Sequence, residues 1–475
     1  MNKRKETWNK IFYASGDIYG GGSFLIVGLL LLAFLTKVEG LSGTWAGIVI
    51  FIGKVWDAVT DPVMGSISDK THSRFGRRRL YFLLGSVPVF LSWVMLWYSF
   101  GIADMTAKIV YYTLAYMFFS TSFTIVMVPY NAILADMTND YNKRSAFTGM
   151  RLSFSAGSSI LCGIIPGIIT GAFAVEQTGY LVMAIIFGLV FGACWLVVFF
   201  GTWENTREHE TNHFTVKDWL SVFKNRSFRH YALIFVFSQM AIDIAMAIAI
   251  FYVGVSLQKD YLYIPAVAAL LVVQLVFIII FSVVAQKTSK RVPGVIAAAV
   301  WIVASVLIFT FSPSTPDIAI VAVCALIGVG GAGCNMVSWS ILPDISDVDE
   351  VMTGKRREGL YSGVSTFLRK FSGGIAVGSI GIMLDLFKYD EASVAAGNIL
   401  PITSMGIKLI FCALPVLLLT LMLIVLKQYR MGKREFEVMH EVLDTVRKKG
   451  RKAKLTAEQI AVCETLTGVS GLFEE

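Results

Sequence analysis

Ala132-Ile-Leu-Ala-Asp136 closes one long apolar block of this 475-residue chain, and Ser340-Ile-Leu-Pro-Asp344 closes another, 208 positions (344 − 136) further on. A basic residue follows each pentapeptide at a similar distance, Arg144 in one case and Arg356 in the other, and Lys70-Thr71 is echoed by Lys287-Thr288. Around these anchors the apolar blocks are about 20 residues long, enough to cross the hydrocarbon core of a bilayer as a helix. They run at 12–36, 45–68, 80–100, 106–135, 149–174, 179–201, 231–257, 262–286, 293–312, 316–342, 358–386 and 401–426. The longest polar interval between blocks, 202–230, falls between the sixth and the seventh. The expected organisation is a six-helix half (1–201), a linker (202–230), a second six-helix half (231–426) and a tail (427–475).

Composition and charge placement agree. Apolar residues make up 56% and charged residues 16%, against about 25% charged in ordinary soluble domains. The N-terminus, 69–79, 136–148, 202–230, 287–291, 344–357 and the tail together hold 32 Lys and Arg. The opposing connections hold five: Lys37, Lys108, Lys259, Lys388 and Lys408. By the positive-inside rule both termini belong in the cytoplasm and the number of spans is even, so a multi-pass protein of the cell membrane is expected. The net charge of +8 is thereby read as orientation and lipid contact, and no nucleic-acid partner is expected. The first block carries Asp17 and no small-residue cleavage site follows the basic start, so that block is expected to be retained. Six cysteines lack a Cys-x-x-Cys, five histidines lack zinc-ligand spacing, and neither a P-loop nor a Gly-x-Ser-x-Gly elbow occurs. An enzyme and a resident cofactor are not expected. Two polar stretches read as short helices: 214–224, with Val216, Leu220 and Phe223 on one face, and the segment opened by a Thr456/Gln459 capping box.

Charged groups inside apolar spans are costly and point to function. The densest cluster is Lys54-Val-Trp-Asp57-Ala-Val-Thr-Asp61-Pro62 in the second span. Asp57 and Asp61 are four apart and share a helix face, with Lys54 one turn away. Pro62 releases the Ala58 carbonyl from helix bonding. Two carboxylates with hydroxyl and carbonyl oxygens nearby suit a hard monovalent cation. Alternatively, like charges so close hold one proton between them. A Lys54–Asp57 pair that neutralises itself still leaves one aspartate over. Asp17 follows Gly16 and precedes Gly20-Gly21-Gly22, a pattern for a helix break or the close approach of a ligand. Gln239 and Asp243 share a face of the seventh span, Arg151 begins the fifth, and Arg369-Lys370 interrupt the eleventh.

Trp56-Asp57-Ala-Val-Thr-Asp61-Pro62-Val-Met-Gly65, continuing to Asp69 and Arg74-Phe-Gly-Arg77, resembles the signature of the glycoside–pentoside–hexuronide:cation symporters of the major facilitator superfamily, the family of the melibiose permease. Gly16-Asp17, Val128-Pro-Tyr-Asn131-Ala-Ile-Leu134, Lys224-Asn-Arg226-Ser-Phe228 and Gly354-Lys-Arg356-Arg-Glu358-Gly359 with Phe367-Leu-Arg-Lys370 match in the same order, over about residues 10–430.

The resemblance implies the major facilitator fold, all-α, with substrate between the halves. It implies a coupling cation, Na⁺ or H⁺, at Asp57 and Asp61, joined by Thr124 of the fourth span with Thr60 adjacent. It implies a substrate site including Asp17, Arg151 and Lys370, with Phe123, Asn335, Trp339 and Thr366 as further candidates. It implies a cytoplasmic gate of Arg144, Asp344, Asp347, Arg356 and Glu358. The acids that hold galactosyl hydroxyls in the melibiose permease fall here on Gly21 and Met127, and a tryptophan falls on Asn131. Losing those acids while keeping Arg151 and Lys370 makes the expected cavity more positive and suits an acidic glycoside such as a hexuronide. The expected protein is therefore a monomeric symporter of a sugar or glycoside in contact with membrane lipids. A lysolipid or other amphiphile is the alternative cargo, and a membrane enzyme or a non-transporting receptor the rival of another class.

Overall fold

In hydrocarbon every backbone polar group must be satisfied internally, which leaves the helix as the solution for blocks of this length. The computed structural model describes residues 3–138, 141–204, 216–355, 357–449 and 455–472, and it is built from helices. In chain order they are α1 (Glu6–Val38), α2 (Gly43–Lys70), α3 (Arg79–Leu96), α4 (Met105–Met137), α5 (Tyr141–Gly171) and α6 (Glu176–Gly201). The second half holds α7 (Arg226–Ser256), α8 (Asp260–Lys287), α9 (Arg291–Phe309), α10 (Asp317–Thr353), α11 (Glu358–Leu386) and α12 (Pro401–Gln428). Two tail helices follow, α13 (Lys433–Lys449) and α14 (Ala457–Thr467).

Among the described residues eleven helices are long and apolar enough to cross a membrane. The one span outside that set, α2, has 28 residues and so a length of about 42 Å. Its apolar character is broken by Lys54, Asp57 and Asp61. The tenth span runs further than its apolar pattern suggested. Pro343 cannot donate to the carbonyl a turn earlier, so the helix bends at Ile341, restarts with proline in its first turn and ends at Gly354 with φ +70°.

The faint repeat has a physical counterpart in each half. Arg78 Nη1 donates to Asp136 Oδ2 (2.6 Å) and to the Ala132 carbonyl (2.7 Å). Lys290 Nζ donates to both oxygens of Asp344 (2.7 and 2.8 Å) and to the Ser340 carbonyl (2.8 Å). Next to them, Arg79 Nη2 donates to the Phe199 carbonyl near the end of α6 (2.8 Å), and Arg291 Nη1 to the Tyr429 carbonyl just after α12 (2.6 Å). The start of the third helix of each half is thus tied to the ends of that half's fourth and sixth helices.

The halves meet most closely along α2 and α11 at the Gly43 end. A Cβ at Gly47 would lie 2.7 Å from the Gly378 carbonyl, and one at Gly381 would overlap the Gly43 carbonyl. Asp385 accepts hydrogen bonds from the backbone N–H groups of Gly43 and Thr44, both at 2.8 Å. It caps α2 from the other half.

The tail docks on the second half. Met439, Val442, Leu443 and Leu466 are buried, and the Ser227 hydroxyl donates to the Leu466 carbonyl (2.6 Å). Arg447 donates to Glu350 at 2.7 and 2.6 Å, which holds its guanidinium pKa above the usual arginine value. The Thr456/Gln459 capping box forms as its spacing indicated. The linker stripe is corrected: Val222 is fully buried and Trp219 packs against Phe367, whereas Leu220 and Phe223 are exposed and the Val216 side chain lies outside the described residues.

Candidate functional site

The i, i+3, i+7 spacing of Lys54, Asp57 and Asp61 puts all three near one face of α2 at mid-length. Thr124 of α4 meets that face, its hydroxyl 3.1 Å from Asp57 Oδ1 and 2.9 Å from Asp61 Oδ1. The Thr60 hydroxyl lies 3.3 Å from that of Thr124 and donates to the Asp57 carbonyl (3.2 Å). Lys370 of α11 completes the cluster from the opposite half. Its Nζ lies 2.7 Å from Asp57 Oδ2 and 2.6 Å from Asp61 Oδ2. The Asp57 carboxylate is 2% exposed and that of Asp61 22%, so the cluster opens to solvent on the Asp61 side. The arrangement is a set of convergent oxygens around one positive charge, which here is an ammonium.

Lys54 does not pair with Asp57. Its Nζ turns toward Asp243 Oδ2 of α7 (4.0 Å), and Arg369 of α11 grips the same carboxylate with Nη1 at 2.6 Å and Nη2 at 2.9 Å. Gly373, one turn along α11, makes room for this trio. A Cβ there would sit 2.5 Å from Asp243 Oδ2 and 2.8 Å from Lys54 Nζ. Gly373→Ala should therefore disturb the trio and reduce initial uptake rates severalfold without loss of membrane expression. Uptake in vesicles normalised to protein checks this, and a rate unchanged within error would mean that the trio does not matter to the cycle.

A third polar group lies on α1, α4 and α5. Arg151 donates through Nε to Asp17 Oδ2 (2.9 Å), through Nη2 to Asp17 Oδ1 (3.2 Å) and to Asn131 Oδ1 (2.7 Å). It also stacks over the Tyr130 ring at 4.5 Å. The more positive cavity expected from Arg151 and Lys370 is thus corrected, because both cations are matched by carboxylates.

The other candidates divide. Asn131 is exposed although it sits in a spanning helix, and Thr366 is half-buried one turn before Lys370 on the same face. Asn335 is half-buried and Trp339 exposed, one turn apart on α10. Phe123 and Met127 are buried and pack toward α1, beside Tyr19 and Gly20. Gly21 is explained by helix packing: a Cβ there would overlap Ser155 of α5, and the glycine run admits that helix rather than a ligand. The break near Asp17 is a single turn residue, Ser15.

Asp344 is held by Lys290, and Asp347 lies 3.4 Å from His440 of the tail. Glu358 opens α11. The Arg144 side chain and Arg356 lie outside the described residues. The Asp243–Arg369 pair was not among the sequence-derived site residues. Its signal was available in Gln239 and Asp243 on one face and in the Arg369-Lys370 doublet, but no spacing rule links helices 126 positions apart.

The chain matches a family model described as MFS/sugar transport protein over residues 12–433. It is 28% identical over 451 residues to the "Uncharacterized symporter YnaJ" of Bacillus subtilis (strain 168), covering 92% of this chain and 94% of that one. It is 29% identical over 453 residues to the "Putative glycoside/cation symporter YagG" of Escherichia coli (strain K12), with the same two coverages. It is 23% identical over 477 residues to the "Sodium-dependent lysophosphatidylcholine symporter 1-A" of Danio rerio, covering 92% and 88%. Among solved structures, a bacterial homologue of the human lysosomal transporter Spinster superposes with a TM-score of 0.65 at 12% identity, over 93% of this chain and 98% of that one. The fold is that of the major facilitator transporters.

Proposed function

The chain belongs to the MFS/sugar transport protein family, and from that starting point we propose that this multi-pass membrane transporter couples the uptake of a sugar or glycoside to a monovalent cation. The observation that supports this reading most is the cluster of Asp57, Asp61 and Thr124 around the Lys370 ammonium. Mid-membrane carboxylates are retained where they carry charge through a cycle. Here an ion of the other half already occupies the place that a free cation would take. Na⁺ would use the carboxylate and hydroxyl oxygens as ligands. A proton would sit on the aspartate pair. In either case the incoming cation competes with Lys370 for Asp57 and Asp61.

Sugar would occupy the space between the halves, against Asn131, Thr366 and the α10 face of Asn335 and Trp339, with Arg151 and Asp17 at its edge. Alternate exposure follows from rocking of one half against the other. The Lys70 ends of the helices, where the Lys and Arg excess lies, would face the cytoplasm. Labelled-sugar counterflow in proteoliposomes tests the transport reading. Exchange of unmodified sugar across the membrane, accelerated by Na⁺ or by an imposed proton gradient, is expected. A modified product or no exchange would remove it. Reporters fused after Glu475 and within 202–230 should both lie in the cytoplasm.

An amphiphile is the second reading, favoured by one feature. Between α1, α5 and α6 lies a cleft of about 480 Å³ lined by Ile18, Phe154, Leu161, Ile165, Phe187 and Val190, apolar enough for an acyl tail. Lysolipid that competes with sugar for counterflow would favour this cargo; sugar exchange indifferent to lysolipid would exclude it.

A further inference from the structure

Resting on the symport reading above, we infer that Gln274 of α8, with Asn335 of α10 beside it, is a specificity-determining pair of amides that reads the hydroxyl groups of an uncharged sugar ring. Gln274 is the one polar side chain between Tyr263 and Phe281, in the most apolar of the eleven spans found among the described residues. It stands 11 residues from Tyr263 (274 − 263) and 13 from Lys287 (287 − 274), so about 16 and 20 Å from the two ends of the helix. A glutamine side chain cannot reach a headgroup over that distance. An amide at that depth is costly unless protein groups or a polar cavity between the halves satisfy it.

The rotation of α8 decides between these. Leu270 and Phe281 meet α10: a Cβ at Gly328 would overlap the Leu270 carbonyl, and one at Gly333 would lie 3.1 Å from the Phe281 ring. Ile264 and Leu271 meet α5 of the other half: a Cβ at Gly167 would lie 3.2 Å from Ile264, and one at Gly163 would overlap Leu271. With 3.6 residues per turn, Gln274 falls between these directions, about 30° from the first and about 70° from the second. It therefore faces the space between the halves. The opposite face, with Val272, Val276, Ile279 and Val283, is exposed, as a lipid-facing row is. The Gln274 amide lies over Gly331, where a Cβ would be 3.7 Å from its Cδ and Nε2, an ordinary contact. Asn335 follows Gly331 by one turn of α10. The rings of Phe235 and Trp339 meet at 5.3 Å and the hydroxyls of Ser238 and Ser338 at 2.7 Å, which sets Gln239 of α7 level with Asn335.

The first half has its cavity amide already engaged, since Asn131 Oδ1 accepts from Arg151. In the second half, among the described residues, the amides of Gln274 and Asn335 hydrogen-bond to no protein group, and Gln239 Nε2 is buried without an acceptor. A primary amide offers two donors and a carbonyl acceptor, and a sugar hydroxyl both donates and accepts. These groups discriminate by where hydroxyls stand on a ring and offer a carboxylate no counter-charge.

The test uses the full chain. In inside-out membrane vesicles, Gln274→Cys is expected to react with a charged, membrane-impermeant methanethiosulfonate, and Val276→Cys at least about tenfold more slowly. The native cysteines are buried and give a low background. In proteoliposomes, methyl β-galactoside, methyl β-glucoside and methyl β-xyloside are offered in counterflow, and the fastest is repeated with its monodeoxy analogues. The parent should reject at least one analogue by about tenfold, a difference of about 1.4 kcal/mol. Gln274→Leu should raise KM for the full sugar about tenfold, keep Vmax within about twofold, and accept that analogue and the full sugar alike. Loss of discrimination at a single hydroxyl is a result that a packing role for Gln274 would not produce. A Gln274→Cys protein no more reactive than Val276→Cys, a Gln274→Leu protein with unaltered KM, or one whose discrimination among analogues matches the parent's would each overturn the inference while leaving symport intact. Exchange of none of the three glycosides by the parent would instead remove the sugar reading and this inference with it.

Discussion

Asp57→Asn and Asp61→Asn are each expected to abolish gradient-driven accumulation while leaving substrate exchange measurable. Both substitutions keep the side-chain volume and remove one charge from the pair. Loss of one charged partner of an ion is worth about 3 kcal/mol, about a hundredfold in cation affinity. Lys370 keeps its other carboxylate in either variant, at 2.7 Å from Asp57 or 2.6 Å from Asp61, so the α2–α11 contact should survive. Linkage is reciprocal: if cation tightens cargo binding, cargo tightens cation binding by the same factor. Both effects should vanish together in the variants. The hydroxyl separates the two ions. With Na⁺ as ligand partner, Thr124→Ala should also weaken coupling, by about tenfold, because one of the coordinating oxygens is lost. With a shared proton the same change should matter little. Normal accumulation by both aspartate variants would end the assignment of this cluster to the cation.

Gly381→Leu is expected to hold the transporter open at its Gly43 end. A Cβ at that position overlaps the Gly43 carbonyl, a backbone atom that cannot swing aside. Overpacking of this kind costs about 1–3 kcal/mol, and it costs it only in the state where α2 and α11 touch. The population should therefore move about five- to 150-fold toward the opposite state. Cysteine labelling along the Gly43 end from outside the cell should rise, and net transport should fall. Gly28→Ala is the matched control, since nothing lies within 4 Å of a Cβ there. Labelling of the Gly381→Leu protein at the level of the parent would show that this contact does not gate access.

How far this molecule was legible in its sequence follows from the range of the forces involved. The span pattern and the shared face of Asp57 and Asp61 are set by neighbours within a few turns, and they emerge from periodicity and charge counts. Even the pentapeptides ending at Asp136 and Asp344 marked a true structural equivalence. Partners were another matter. Lys370 lies 309 positions from Asp61, and Arg369 lies 126 from Asp243. Which cation meets which carboxylate depends on how α2, α7 and α11 are rotated in the bundle. That rotation is fixed by packing of small residues such as Gly47 and Gly378, and a single chain carries no local record of it. The charge excess expected from Arg151 and Lys370 failed for this reason. The same limit explains Leu220 and Phe223: their spacing was helical, but Trp219 and Val222 found the buried side.

The paired ties at the starts of α3 and α9 have a mechanical meaning. A bundle joined only by side-chain contact can absorb a push at its centre by letting individual helices bend or slide. Arg78 and Arg79 on one side, and Lys290 and Arg291 on the other, fasten three helix ends of each half at one level, each with charge-assisted bonds of 2.6 to 2.8 Å. Torque generated at mid-span by exchange of an ion is then not dissipated within a half. In the proposed cycle each half would turn as one stiff lever, and work done on a few oxygens near Asp57 would reappear as displacement at the far tips.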